Sequence, residues 1–323
     1  MTGTPPPALD PRVDLGRGLV LPNPVGVASG TFGYGFELEQ LVDVQRLGAI
    51  FSKGTTPGPR QGNRPPRVAE TTAGMLNAIG LQNPGVEVVA SAYAPRWTGW
   101  RVPVVVNVAA EDIPGYVAVV RRLAGVPGVA GIELNISCPN IAHGLDFGQD
   151  PAAAARCVEA VRRATPAPLI VKLSPNVTDI GAVARAVAAA GADAVSVVNT
   201  YVGLKVSLAL RRPVLPGAGT GGLSGPAIKP LALAAVHRVR QAVAIPVVGV
   251  GGIQTAADAL EFFVVGADAV QVGTATFRNP TAALEVLDGC LAWAAAHGLR
   301  RWTDLHAAAL PAGPDGRAEG AGS

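Results

Sequence analysis

One cysteine stands where acid–base chemistry could take place. Cys138 lies in the segment Asn135-Ile-Ser-Cys-Pro-Asn140, just beyond a predicted strand. A thiolate at such a position can act as a nucleophile or as a base, with a proton affinity set by nearby cations. Cys157 and Cys290 fall in helical stretches, where a buried cysteine is ordinarily inert. We therefore predict a functional role for Cys138 and a packing role for the other two.

Lysine is rare in this chain, and two of its lysines end apolar runs. Lys53 follows Ala49-Ile-Phe-Ser, and Lys172 follows Leu169-Ile-Val. A cation at the end of a buried strand can neutralise a developing anion, such as a reduced flavin or a carbonyl oxygen. It can also form a Schiff base with a carbonyl substrate. The residues alone leave both chemistries open.

Asparagines end three other predicted strands. Asn107, Asn135 and Asn199 occupy these positions, and Asn77 lies in a long segment after the second strand. An amide offers both a donor and an acceptor, which suits the edge of a planar heterocycle made of alternating N–H and C=O groups. We expect these side chains to read such a ligand.

Three glycine clusters follow the late strands: Gly222-Leu-Ser-Gly-Pro226, Gly249-Val-Gly-Gly252 and Gly273-Thr274. Glycine lets backbone N–H groups approach a phosphate, and a helix N-terminus adds a favourable dipole. In α/β barrels the loops after the seventh and eighth strands commonly form this site. The clusters predict a phosphate-bearing cofactor.

The elements that must position these residues are short β-branched runs, each followed by an Ala-rich helical stretch. Eight such units indicate an α/β protein with a (β/α)8 TIM barrel more than an open sheet. We expect one domain over residues 1–310, a disordered tail over 311–323, and elaborated C-terminal rim loops at 54–86 and 201–224 that cover the site. The predicted strands are Val25–Ala28, Ala49–Lys53, Val104–Val108, Gly131–Ile136, Leu169–Leu173, Ala194–Val198, Val247–Val250 and Ala269–Val272.

Composition excludes several classes of protein. The net charge is only +3 and its arginines are scattered, which argues against a nucleic-acid interface. The three cysteines form no zinc, iron–sulfur or disulfide pattern, so no metal site is expected. The first residues have no basic or apolar signal region, and no stretch of about 18 apolar residues lacks charge or glycine. We expect a cytoplasmic protein without a membrane partner.

Taken together, the motifs resemble the class 1 dihydroorotate dehydrogenases, from about Val13 to Leu305. The matching segments, in the family's order, are Ser52-Lys-Gly-Thr-Thr56, Asn63-Arg-Pro-Pro-Arg67, Gly74 to Gly85, Asn135 to Asn140, Val171-Lys-Leu-Ser-Pro-Asn176, Asn199-Thr200, Gly221 to Pro226 and Gly249 to Gly252.

Two of these segments, Met75 to Asn83 and Gly221 to Gly225, are similar to the class 1B catalytic subunit. The resemblance implies oxidation of dihydroorotate to orotate in the synthesis of pyrimidine nucleotides (UMP), with hydride passing to FMN. It also implies a homodimer and a separate iron–sulfur FAD subunit that hands the electrons to NAD. The alternatives are a class 1A enzyme that uses fumarate, a Schiff-base aldolase or lyase that uses Lys172, and a subunit that keeps FMN without turning over dihydroorotate.

The resemblance also implies roles for individual residues. Cys138 would be the general base, with Lys53 and Asn135 beside it. FMN would contact Ser29, Lys53, Gly54, Asn107, Asn135, Lys172, Val198, Gly225, Gly251, Gly252, Gly273 and Thr274. Dihydroorotate or orotate would contact Lys53, Asn77, Ala78, Ile79, Gly80, Leu81, Asn135, Asn199 and Thr200. The loop 141–148 lacks the Gly-Gly pair of the family and is slightly shorter, which we expect to alter its closing motion.

Overall fold

Eight parallel strands form a closed barrel in the computed structural model, which describes residues 9–137, 147–215 and 219–308. Each strand pairs with the next along the chain, and the last pairs with the first. The (β/α)8 prediction is therefore confirmed, and each of the eight predicted runs contains a strand. The strands are β1 Val25–Val27, β2 Ile50–Phe51, β3 Val104–Val108, β4 Gly131–Asn135, β5 Leu169–Lys172, β6 Ala194–Val197, β7 Val247–Val250 and β8 Ala269–Val272.

Six α-helices of nine or more residues cover the barrel among the described residues. Asp112, Asp150 and Asp179 cap the first three of these helices, because each carboxylate accepts backbone N–H groups of the first turn. The Thr255–Asp258 capping box begins the fifth. The helices are α1 Ile113–Leu123, α2 Pro151–Ala164, α3 Ile180–Ala189, α4 Lys229–Ala242, α5 Ala256–Val264 and α6 Ala282–Ala296.

The first two βα units depart from this plan. Residues 28–49, all described, contain only the short 3₁₀ helix Val44–Arg46 in place of an α-helix. The second unit carries a continuous helical segment made of α-helix Val86–Val88, π-helix Val89–Tyr93 and α-helix Ala94–Trp97. Further 3₁₀ helices span Pro226–Ile228, Thr274–Phe277 and Trp302–Ala308.

A second sheet lies outside the barrel and joins the two long loops. Its four antiparallel strands, in spatial order Tyr201–Gly203, Gly221–Ser224, Gly74–Asn77 and Val68–Thr71, are called the rim sheet below. Gly222 is the register partner of Asn77, so residues far apart in sequence meet here. Two-stranded ladders pair Val13–Asp14 with Val20–Leu21, and Val206–Ser207 with Arg212–Pro213.

The end of the barrel where the strands begin is held by an arginine–aspartate arrangement. Arg240, in the last turn of α4, donates to the carbonyls of Val243 and Ile245 at 2.6 and 3.0 Å. It also donates to Asp268, which accepts the backbone N–H of Val247 at 2.8 Å. One side chain therefore connects the end of α4 to the segment before β7 and, through Asp268, to the first residue of β7 and the start of β8.

The same arrangement recurs two strands earlier. Arg162 of α2 donates to the carbonyls of Thr165 and Ala167 and to Asp193, and Asp193 accepts the N–H of Leu169 at 2.8 Å. The spacing of three and five residues from arginine to carbonyl is identical in both places. The same arginine–aspartate arrangement therefore lies at the start of two pairs of neighbouring strands, β5 with β6 and β7 with β8.

No helix in the described part of the chain has the length and apolar character needed to cross a membrane. The predicted tail, 311–323, lies outside the described residues.

Replacing Arg240 tests this arrangement. Arg240→Met leaves two partly buried carbonyls and the Asp268 carboxylate without their hydrogen-bond donor. We therefore expect the free energy of unfolding to fall by about 2–3 kcal/mol. Urea denaturation followed by circular dichroism measures it. Arg122→Met is the matched control, because its ion pair with Glu87 is exposed and contributes little. Equal urea midpoints for the two variants would contradict the role of Arg240.

Candidate active site

The structure brings the predicted lysines and asparagines to one rim of the barrel. Asn135 and Lys172 are the last residues of β4 and β5 and are register partners. Asn107 lies one residue before the end of β3. Lys53 lies two residues after β2, and Asn199 lies two residues after β6. Because the carboxyl ends of parallel strands meet at the same edge, these side chains surround one mouth.

Asn135 is oriented by its neighbours. Its Oδ1 accepts the Nδ2 of Asn199 and the backbone N–H of Ser137, both at 3.2 Å. The hydroxyl of Tyr116 donates to its backbone carbonyl at 2.6 Å, and the N–H of Thr200 donates to Asn199 Oδ1. The acceptor side of Asn135 is thus used within the protein. Its Nδ2 has no partner in the described part of the chain and is the atom that a ligand would meet.

A buried carboxylate, absent from the sequence-based set, lies among these residues. Glu133 of β4 is 0% exposed. Its Oε2 accepts Asn107 Nδ2 at 2.6 Å, and its Oε1 accepts Ser196 Oγ at 2.7 Å and Gln271 Nε2 at 3.0 Å. Lys172 Nζ lies 3.9 Å from Oε2. A buried charge is tolerated when donors surround it, as they do here.

The sequence does carry a signal for this group. Glu133 is the only acidic residue in the eight barrel strands, and Ser196 and Gln271 interrupt strands that are otherwise apolar. Polar residues inside a fully buried parallel strand must pair with one another. These three residues lie one or two positions before the ends of their strands, so they are absent from a set chosen at the strand ends.

Asn107 presents an acceptor without a partner. Its Oδ1 is buried and accepts no hydrogen bond from the described residues. It faces Gly54, where a Cβ would lie only 3.2 Å from that oxygen. Buried polar atoms are nearly always satisfied in native proteins. Asn107 Oδ1 therefore marks a place for a ligand N–H beside the bare backbone of Gly54.

Lys53 lines a cavity of about 520 Å³ together with Tyr34, Glu37 and Arg60. Its backbone N–H donates to the carbonyl of Gly33 at 2.8 Å, while its ammonium has no partner within the described ranges. Burial, and then the positive charge of Arg67, lower the pKa of Lys53 below its ordinary value of 10.5. An anionic ligand would supply the missing counter-charge.

The rim sheet brings Asn77 and Thr200 together. Asn77 Nδ2 donates to the carbonyl of Gly222 at 3.2 Å. A Cβ at Gly222 would collide with the hydroxyl and Cβ of Thr200, so only glycine permits this approach. The pairing of the two long loops is what places these two predicted substrate residues side by side.

The segment from Ala78 to Leu81 is held by the preceding loop. Ala78 donates its N–H to the carbonyl of Arg67 and accepts from Asn63 Nδ2, both at 2.8 Å. The N–H of Asn63 donates to the carbonyl of Ile79 at 2.9 Å. Gly80 follows with a φ of 72°, and the Leu81 side chain reaches the vicinity of Gly54. The predicted substrate segment and the predicted cofactor edge therefore adjoin.

The three glycine clusters meet at the late strands. Gly252 has a φ of 76°, and a Cβ there would lie 2.7 Å from Lys229 Cβ and 3.0 Å from the carbonyl oxygen of Gly225. Thr274 Oγ1 donates to Ser224 Oγ at 2.8 Å, which joins the loop after β8 to the rim sheet. Gly225 directly precedes the 3₁₀ helix that leads into α4. Exposed backbone next to a helix start is the usual environment for a phosphate.

The remaining predicted cofactor residues lie around the same rim. Ser29 follows β1 by two residues and is partly buried, and Val198 directly follows β6 and donates its N–H to the carbonyl of Val250 at 3.0 Å. Gly251 and Gly273 follow β7 and β8.

Cys138 lies in 138–146, outside the described residues, as does most of the loop after it. The described neighbours of this segment are Ser137, whose hydroxyl donates to the carbonyl of Lys172 at 3.5 Å, and Phe147, whose ring packs edge-on against Tyr116. Cys157 and Cys290 are buried, and burial raises the pKa of both thiols to about 12. These two are packing residues, as expected.

Comparison with known proteins finds close relatives. Residues 16–292 match the family described as dihydroorotate dehydrogenase. The chain is 51% identical over 297 residues to the catalytic subunit of dihydroorotate dehydrogenase B (NAD(+)) from Pelobacter propionicus, covering 92% of this chain and 97% of the relative. The proteins of the same description from Trichlorobacter lovleyi and Listeria monocytogenes are 51% and 50% identical, over 89% and 81% of this chain and 94% and 86% of theirs.

A substitution of Gly252 tests the close approach at the glycine clusters. Gly252→Ala adds a left-handed φ penalty and a collision with Lys229 and Gly225, so we expect the free energy of unfolding to fall by about 2–4 kcal/mol. Gly18→Ala is the control, since Gly18 has a similar φ of 80° with nothing within 4 Å of the added Cβ. The control should lose only about 1 kcal/mol. Equal losses in urea denaturation would show that the approach is not tight.

Proposed function

The chain belongs to the dihydroorotate dehydrogenase family, and we propose that its rim site oxidises dihydroorotate to orotate for pyrimidine synthesis and passes the electrons to NAD+. The observation that carries the proposal is the meeting of lysine and asparagine side chains with the glycine clusters at one rim. The relatives are class 1B catalytic subunits that use NAD+ by name. Neither the fumarate-using enzyme nor the Schiff-base lyase is favoured.

FMN is the cofactor that we propose for this rim. The glycine clusters at Gly225, Gly252 and Gly273 suit its phosphate. Asn107 Oδ1, which accepts no hydrogen bond from the described residues, suits an N–H of its ring. Lys172 would stabilise negative charge at the ring edge, an electrostatic role. Bound there, FMN supplies the acceptor for the hydride that leaves C6 of dihydroorotate. The other proposed contacts are Ser29, Lys53, Gly54, Asn135, Val198, Gly251 and Thr274.

Dihydroorotate is a flat ring with a carboxylate and alternating N–H and C=O groups, and the rim carries complementary atoms. Lys53 would bind the carboxylate, because its ammonium lacks a partner in the described residues. Asn135 Nδ2, which has no partner among the described residues, would donate to a ring carbonyl. Asn77, Asn199 and Thr200 would hold the opposite edge. The backbone segment from Ala78 to Leu81 would also contact the substrate.

Cys138 is the base that we propose for removing the proton from C5. Its place in the sequence, three residues after Asn135, supports this role. A thiol has an ordinary pKa near 8.5, so activity should rise toward alkaline pH.

We also propose that a partner subunit takes part in this reaction. The relatives are named as catalytic subunits, which implies a second component. We propose an iron–sulfur FAD subunit as the route to NAD+, bound to a homodimer of this chain. The FMN rim would pass electrons to it after each oxidation of dihydroorotate.

Substituting Cys138 tests the assigned chemistry. Cys138→Ser replaces the thiol with a far weaker acid, so we expect reduction of the bound flavin by dihydroorotate to slow at least a hundredfold near neutral pH and to recover partly at higher pH. Stopped-flow absorbance under anaerobic conditions measures the rate. Cys157→Ala, in the packing set, should keep the wild-type pH profile. Unchanged rates for Cys138→Ser would remove Cys138 as the base.

The lowered pKa of Lys53 predicts how orotate affinity changes with pH. The ammonium is fully charged well below its lowered pKa, and it loses its charge as pH rises through that value. As pH rises, the affinity for orotate should therefore begin to decrease before pH 10.5 is reached. The change in flavin absorbance on orotate binding measures this affinity. Arg67→Gln removes one cause of the lowering, so the fall should move to higher pH. If the affinity for orotate did not change up to pH 10.5, Lys53 would be excluded as the partner of the carboxylate.

A further inference from the structure

Glu133 draws together four other strands of the barrel interior. Its carboxylate contacts Asn107 of β3, Lys172 of β5, Ser196 of β6 and Gln271 of β8. All four groups that meet it can donate hydrogen bonds, and one of them also carries a positive charge. Two of the four, Asn107 and Lys172, belong to the proposed FMN edge. The carboxylate is therefore placed to act on the cofactor through them.

The carboxylate settles which way the neighbouring amides turn. An ionised carboxylate only accepts hydrogen bonds, so Asn107 must direct Nδ2 toward it, at 2.6 Å. Gln271 does the same with Nε2 at 3.0 Å. The carbonyl oxygens of both amides are then turned away, and both are buried without a partner in the described part of the chain. Without Glu133, Asn107 could equally present its NH₂ group.

The same oxygen also acts on Lys172 through charge. The 3.9 Å between Glu133 Oε2 and Lys172 Nζ is too long for a direct hydrogen bond, so the interaction is through space. Lys172 is 5% exposed, and solvent screens such a pair little. A negative charge so placed opposes part of the positive potential that the ammonium projects toward the rim.

We propose that Glu133 is a positioning residue for FMN, which fixes Asn107 as a hydrogen-bond acceptor and sets the flavin reduction potential through Lys172. This inference rests on the proposed function, because it requires FMN at the rim. A carboxylate that only fills the barrel interior would affect folding but would leave the potential of a bound flavin unchanged. Potential and affinity therefore separate the two roles.

The test compares Glu133→Gln with wild type in the full-length, FMN-loaded chain. Removing the negative charge favours the reduced, anionic flavin, so the two-electron equilibrium should shift at least tenfold toward reduction, which is a midpoint about 30 mV more positive. The new amide also competes for the orientation of Asn107, so the Kd for FMN should rise at least tenfold. Dye-coupled redox titration and quenching of FMN fluorescence measure the two values.

Two further variants separate charge from orientation. Ser196→Ala removes one hydrogen bond to the carboxylate and keeps its charge, so its potential should match wild type. Glu133→Asp keeps the charge but withdraws the oxygens from Asn107 by one methylene, so FMN affinity should fall while the potential shifts less than in Glu133→Gln. Should Glu133→Gln not fold, a wild-type affinity for Glu133→Asp overturns the proposed fixing of Asn107.

Three further outcomes would each overturn the inference about Glu133. Wild-type potential and affinity in a folded Glu133→Gln overturn the inference while leaving the proposed function intact, provided that dihydroorotate still reduces the flavin. A wild-type chain that binds no FMN overturns both. An equal shift of potential in Ser196→Ala and Glu133→Gln also overturns the inference, because loss of packing would then explain it.

Discussion

Closure of eight parallel strands confines the polar chemistry of this chain to two places. The strands are buried on both faces, so a polar side chain must either lie at a strand end or find partners inside the barrel. Asn135 and Lys172 take the first solution and Glu133 the second. The two sets touch through Asn107 and Lys172, so the interior network and the rim form one continuous polar system within an apolar barrel.

The rest of the site depends on loops that the barrel itself does not dictate. The rim sheet pairs Gly222 with Asn77, and the bare backbone there admits the hydroxyl of Thr200. The glycine at 252 does the equivalent for the late loops by letting Gly225 approach. The rim sheet and the Thr274–Ser224 hydrogen bond thus join the loops that carry the proposed substrate and cofactor residues. Side chains at these glycines would separate the two halves of the site.

The barrel could be predicted from the sequence because eight short β-branched runs are a local signal that buried parallel strands require. The lysines and asparagines at the strand ends followed from that prediction. The rim sheet could not be predicted, since strands such as Gly221–Ser224 are glycine-rich and pair with a segment about 145 residues away. The loss of a helix in 28–49 and the matched arginines at 162 and 240 also depend on tertiary contacts. Glu133 was visible as a lone acid, but its partners come from four other strands.

Binding of FMN and oxidation of dihydroorotate at this rim are the function that we propose. Anaerobic addition of dihydroorotate to the purified, intact chain measures it most directly, with flavin absorbance and orotate recorded together. We expect a yellow protein whose flavin is bleached as one equivalent of orotate forms for each FMN. A colourless protein, or a flavin that stays oxidised with excess dihydroorotate, would contradict it.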